Sequence, residues 1–311
     1  MNTTSPSTQY NLQAEINKIS IYVYPITIIL TITTNILNIC VLCRRKLRLS
    51  SSTQYFLAFA LSSILYTCEI PVMMFIRIRF GYIVTSSSVG CRLQTFIIHT
   101  MPLFISIMLV FASIDRFFTS SSTVRMRNLS QVHIARRIII ITIILTVIYI
   151  SPILLIYYFN SNMNQCISYS STIAIIYLSS RIIFSYIIIP LAMAIFGFLI
   201  IRNIRNQIHR INPFAINPER QNRRRYRRIE NQLARMLILQ VSAYLIFSMP
   251  AGVGYTLVTF IPSMNTVFVN QLRIIFSLWQ QNIYFLTLFI YILSSKTYRQ
   301  EFLHMFKLNH F

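Results

Sequence analysis

Asp115 and Arg116 stand side by side in the stretch FASIDRFFTSSS, residues 111–122, at the end of a long apolar run, and Asp115 is the only aspartate in the chain. Adjacent opposite charges at such a boundary make an ion pair, not a catalytic set. Elsewhere the sequence offers no metal-ligand spacing, no nucleophile elbow and no phosphate-cradling glycine loop, and it holds five glycines in all. No enzyme activity, cofactor or metal site is expected. A charge at a bilayer centre costs roughly 2.5–3.5 kcal/mol on insertion scales, and the cost falls sharply for a pair at the interface. Taken alone, the pair is either a snorkelling interfacial pair or a charge kept at a membrane face for use.

The elements that must position it follow from composition. Of 311 residues 55% are hydrophobic and 11% charged, with 28 Lys+Arg against 6 Asp+Glu. Several apolar stretches reach the roughly 20 residues that a helix needs to cross a hydrocarbon core. Spans are predicted near 20–43, 54–76, 92–115, 138–159, 173–201, 233–260 and 270–293. The fold class is therefore an all-α membrane protein, a seven-helix bundle. Residues 1–19 are expected as an extracellular N-terminus, 20–293 as the transmembrane domain and 294–311 as a cytoplasmic segment.

Positively charged loops stay cytoplasmic. Arg44, Arg45, Lys46 and Arg48, then Arg125, Arg127, Arg136 and Arg137, then ten Arg between Arg202 and Arg235, then Lys296, Arg299 and Lys307 all fall on one side when the N-terminus lies outside. Lys18, Arg77, Arg79 and Arg92 fall on the other, and the last three sit awkwardly in the first outer loop. The first span is expected to act as its own signal, and Asn2 in Asn2-Thr3-Thr4 is a glycosylation acceptor on the outer side. The basic excess speaks for topology and for anionic lipids at the inner leaflet, not for nucleic acid. The stretch RQNRRRYRRIENQLARM, 220–236, reads as a cytoplasmic extension of the sixth span that meets a partner.

At the end of the third span, IDRF resembles the Asp-Arg-Tyr motif of rhodopsin-like (class A) G protein-coupled receptors. In that family the arginine is held by the neighbouring acid when the receptor is silent, and it is released to a heterotrimeric G protein when the helices part. Asp115 and Arg116 match residue by residue, and Phe117 replaces the tyrosine. Cys91 lies 25 residues before Arg116, the family's usual spacing, and Cys166 falls in the second outer loop, so the resemblance implies a disulfide between them. Pro190 and Pro250 match the family's fifth- and sixth-span prolines, where a missing N–H kinks the helix. Glu230 falls where some members place an acid that clamps the arginine, and it reads equally as a surface residue among arginines such as Arg227. Asn35 stands at the first-helix asparagine with Asn38 as an addition. In LFIYILSSKTYRQEF, Tyr291 matches the seventh-helix tyrosine and Tyr298 the aromatic of a short amphipathic eighth helix. The first-helix and final motifs look closest to invertebrate peptide receptors, including FMRFamide-type receptors.

Departures accompany these matches. Thr287 and Leu288 stand where Asn-Pro is expected, Ser63 at the second-span aspartate and Ser248 at the sixth-span tryptophan. A cation site of the family's ordinary kind loses its main carboxylate. The resemblance implies an outward pocket with Glu69, His99, Arg181, Tyr255, Arg273, Gln280 and Gln281 as candidates. Ile98 stands near the place of the aspartate that anchors amines, so a peptide or other non-amine extracellular ligand is favoured. Glu69 could still receive a cation, and His99 could simply bond a neighbouring helix. Arg273 near an outer end could snorkel, or with Arg181 receive an anionic group such as a carboxylate. Two rival readings stay open, a seven-span channel or transporter with these charges in its path and a receptor-like protein that does not signal.

Overall fold

Each apolar run folds as a helix because a backbone in hydrocarbon must satisfy its own N–H and C=O groups. The computed structural model describes residues 6–81, 87–121, 123–160, 165–169, 172–209, 218–261 and 266–307, so Asn2 lies outside the described residues. In chain order the elements are α1 (Pro6–Leu42), the single turn α2 (Arg45–Arg48), α3 (Ser51–Phe80), α4 (Ser88–Thr119), the short α5 (Val124–Leu129), α6 (Val132–Ile150) and the single turn α7 (Ile153–Ile156). A hairpin of β1 (Tyr157–Asn160) and β2 (Gln165–Ser168) leads to α8 (Thr172–Ile183), a π-helical turn (Phe184–Ile188), α9 (Ile189–His209), α10 (Pro218–Phe260), α11 (Val267–Ser294) and α12 (Lys296–Lys307).

Seven stretches of these helices are long and apolar enough to cross a membrane: Ala14–Leu42, Ser51–Phe80, Ser88–Thr119, Val132–Ile156, Thr172–Asn203, Ala234–Val258 and Val267–Ser294. The bundle is a ring in which α1 packs on α3 and α11, α10 packs on α11, and α4 sits inside against α3, α6, α9 and α10. Half of the most apolar window of α4 is buried, against 22% for that of α6, which turns Ile140, Ile144 and Ile148 outward to lipid. Because lipid is as apolar as the core, hydroxyls in the spans bond their own helix. Thr27, Thr67, Thr100, Thr142 and Thr287 each donate to the carbonyl four residues back.

Two boundaries differ from the sequence expectation. The first helix begins at Pro6 and not near residue 20, because Asn11 to Lys18 continue the helix beyond the apolar run, with Lys18 reaching back to Glu15 at 2.6 Å. The fourth helix proper stops at Ile150, and Ser151 and Pro152 keep right-handed backbone angles and lead into the single turn α7, after which Tyr157 turns to extended backbone. Its expected last residues, Tyr157 to Phe159, instead pair as a strand with Ile167 opposite Tyr158 and Cys166 opposite Phe159. That hairpin is the one departure from an all-helical chain among the described residues.

Candidate functional site

The inner end is built where α4 meets the start of α3. Gly81 ends α3 in the left-handed region at φ 67°, and Ser87 caps α4 by accepting from the Gly90 N–H, which defines the outer ends of both helices. Some 25 residues on, α4 carries Asp115 and Arg116 to the far membrane face, where they are 5% and 2% exposed. Two buried opposite charges need hydrogen-bond partners as well as each other. Ser51 donates to Asp115 Oδ2 at 2.7 Å, and Ser130 donates to Asp115 Oδ1. The guanidinium Nη2 of Arg116 donates to Ser50 Oγ at 2.6 Å and also to Ser52 Oγ. Three consecutive serines at the start of α3 thus hold both members of the pair. Phe117 faces away from them and packs on Phe118 and Phe196, each with ring centroids 6.0 Å apart.

These serines carry no weight in a motif reading. Their signal was placement: three hydroxyls in a row before an apolar span, at the same membrane face as the Asp-Arg pair. Glu230 lies on α10, with its side chain outside the described residues.

Beside this pair, α10, α11 and α12 are tied together. Tyr291 Oη donates to Gln240 Oε1, and its ring lies 5.3 Å from Phe56 and 5.5 Å from Tyr298. Tyr298 Oη donates to Asn38 Oδ1 at 2.5 Å, and burial pushes this phenol up from its ordinary range, with Cys40 adding to the shift. Gln232 Oε1 accepts from Thr297 N at 2.9 Å and Thr297 Oγ1 at 2.8 Å. Arg44 of the first inner loop reaches Glu301 of α12 at 3.8 Å. Gln232 therefore fastens the inner end of the sixth span to the start of α12. A net hydrogen bond contributes on the order of 1 kcal/mol, so Gln232→Ala is expected to destabilise the purified protein by about 1–2 kcal/mol, read as a fall in melting temperature. An unchanged melting temperature of that variant would remove Gln232 as a fastening.

The outer half encloses a cavity of about 650 Å³. Of the sequence candidates, His99, Arg181, Tyr255, Arg273, Gln280 and Gln281 line it, whereas Glu69, half-buried on α3, is not among the lining residues. The cation-receiving reading of Glu69 is therefore corrected for this cavity. Arg181 Nη1 stands 2.8 Å from His99 Nδ1, and the Arg273 guanidinium lies over the Tyr255 ring at 5.1 Å. Sequence reasoning missed Arg77 and the tyrosine walls of Tyr24, Tyr66, Tyr186, Tyr244 and Tyr284. The awkward outer cations were the signal for Arg77. The tyrosines had none, since an apolar helix does not announce which side faces inward.

Cys91 and Cys166 form a disulfide with Cα atoms 5.6 Å apart, closing a separation of 75 residues. It pins β2 onto the outer end of α4, and Thr95 Oγ1 approaches Cys166 Sγ at 3.5 Å. Tyr157 of β1 stands with its ring 6.3 Å from that of His99, which lines the cavity. Burial raises its hydroxyl pKa, while Arg181 and Arg273 each pull it down.

Pro190 and Pro250 occupy different surroundings. The π-helical turn Phe184–Ile188 ends just before Pro190, widening the helix where the ring would otherwise meet the carbonyl of Tyr186. Pro250 lies inside α10, and Pro25, Pro71 and Pro102 inside other helices were not singled out as kinks. Two residues past Pro250, a Cβ on Gly252 would stand 2.5 Å from Tyr186 Cδ1. Tyr186 in turn stacks on Tyr255 at 5.9 Å. Gly252→Ala is expected to destabilise the purified protein by about 1–3 kcal/mol through overpacking, read as a fall in melting temperature. An unchanged melting temperature would mean that the ring yields freely.

Residues 34–295 match the family described as "7 transmembrane receptor (rhodopsin family)", well over half of the chain. No curated protein matches the chain.

Proposed function

The chain belongs to the rhodopsin family of 7 transmembrane receptors, and from that premise we infer that it binds an extracellular ligand in the outer cavity and activates a heterotrimeric G protein through Arg116. The family is one of multi-pass membrane receptors, not of enzymes. The observation that carries the coupling role is the buried Arg116, held at the inner end by Ser50 and Ser52 while Asp115 is held by Ser51 and Ser130.

The ligand reading is a non-amine one. An ammonium group entering the cavity would meet no carboxylate among the lining residues, since Ile98 lines the wall and Glu69 does not. A peptide presenting one end fits a cavity of about 650 Å³ in the outer half, which supports the peptide-receptor branch without singling out FMRFamide-type ligands. At the inner leaflet, Arg45, Arg48 and Arg136 border one groove and suit anionic lipid headgroups.

The test compares ligand-free G-protein activation in cells for wild type and Arg116 variants at matched surface level. A whole-cell current that survives loss of Arg116, with no G-protein signal in any variant, would move the protein to the channel reading.

A further inference from the structure

Resting on the receptor reading of the outer cavity, we propose that its ligand is an organic oxyanion: a carboxylate, sulfate or phosphate head on an apolar or aromatic body, with the head bound between Arg181 and Arg273. Three guanidinium groups from three helices line the space: Arg77 in the last turn of α3, Arg181 on α8 and Arg273 on α11. No aspartate or glutamate is among the lining residues.

Among the described residues no acid pairs with Arg181 or Arg273. A guanidinium can only donate, so at 2.8 Å from Arg181 the His99 Nδ1 must accept, which leaves the imidazole neutral with its proton on Nε2. The pair keeps a full positive charge. Arg181 Nε is buried without a hydrogen-bond partner among the described residues. Arg273 has the Tyr255 ring face, which offsets part of a charge and cannot replace a counter-ion. The Tyr157 ring lies 6.3 Å from that of His99, the partner of Arg181, and both Arg181 and Arg273 act on the Tyr157 hydroxyl, so the two cations share one neighbourhood of the cavity. Charges at membrane depth require a partner or water, and an anion delivered from outside supplies one to both.

The rest of the ligand follows from the walls. Gln281 Oε1 is buried without a hydrogen-bond partner among the described residues, so it accepts from a hydroxyl or amide N–H on the ligand. Tyr66, Tyr186, Tyr244 and Tyr284 give an aromatic surface for an apolar body. A volume of about 650 Å³ is that of a site for a drug-sized molecule. The same oxyanion could come from a small organic acid or from the free C-terminal carboxylate of a peptide.

The melting temperature of purified receptor in lipid nanodiscs tests this with sodium sulfate against sodium chloride at equal ionic strength. The general excluded-solute effect of sulfate acts on every variant alike. Wild type is expected to gain an additional upward shift that Arg181→Gln and Arg273→Gln both lose. In chloride the two variants are expected to melt no lower than wild type, since each removes a cation without a counter-ion. Equal sulfate shifts in wild type and both variants would overturn the proposal. A second arm pairs 4-phenylbutanoate with its amide, and N-acetyl-Phe-Leu acid with its amide. Preference for either acid, weakened about 30-fold or more in the variants, supports the proposal and identifies the source; acids no better than their amides overturn it. No G protein enters this measurement, so its failure leaves the role of Arg116 standing, and failure of that role leaves the anion site standing.

Discussion

Arg116→Ala is expected to bring ligand-free G-protein activation to background, and Asp115→Ala is expected to raise it about tenfold, both at wild-type surface level. The two neighbours act in opposite directions because they occupy different hydrogen bonds. Asp115 ties the inner end of α4 to Ser51 at the start of α3 and to Ser130 just past α5. Hydrogen bonds to a charged group contribute on the order of 1.5–3 kcal/mol, and a bias of about 1.4 kcal/mol is a tenfold change in the closed-to-open ratio. Losing the carboxylate frees the inner loop and withdraws the charge next to Arg116. Losing the guanidinium removes the group offered to the G protein, while Ser50 and Ser52, 3.2 Å apart, can bond each other. A double variant settles a silent ground state: the signal of Asp115→Ala should vanish when Arg116→Ala is added. A signal that persists in the double variant would sink the coupling role of Arg116.

The second large effect is structural. Cys91→Ser is expected to remove most of the protein from the cell surface, and Cys166→Ser and the double variant are expected to match it. Closing a separation of 75 residues contributes roughly 4 kcal/mol in the chain-entropy model. That is a large part of the 5–15 kcal/mol by which a typical protein is stable. The bond also pins the hairpin from which Tyr157 approaches Arg181 and Arg273, so any protein that does reach the surface should lose the sulfate response of the outer cavity. Wild-type surface levels in all three variants would contradict this account.

The legible part of the fold is the part written in one dimension. Span number and direction follow from apolar runs and from the one-sided placement of Arg and Lys, and the two cysteines and the Asp-Arg pair are found by type and spacing. Helix ends were less legible. Asn11 to Lys18 extend α1 because helix propensity and not hydrophobicity sets its outer end, and the expected end of the fourth span, past the helical turn Ile153–Ile156, is a strand. Thr287 and Leu288 marked a departure from the seventh-helix motif without showing what replaces it. In the structure, Thr287 bonds its own helix at Ile283 and Tyr291 finds Gln240.

By itself the sequence determined that this is a seven-span membrane protein with its inner face at the arginine-rich loops and its charge pair at that face, because hydropathy, charge and cysteine position are properties of the chain alone. Only the tertiary structure decided which side of each helix looks inward. A helix in lipid is apolar all round, so its rotation about its own axis leaves little trace in the pattern of residues. It is that rotation, set by packing against neighbours, which brings Ser50 to Ser52 onto Asp115 and Arg116, Gln232 onto Thr297, and Arg77, Arg181 and Arg273 around one cavity while leaving Glu69 outside it.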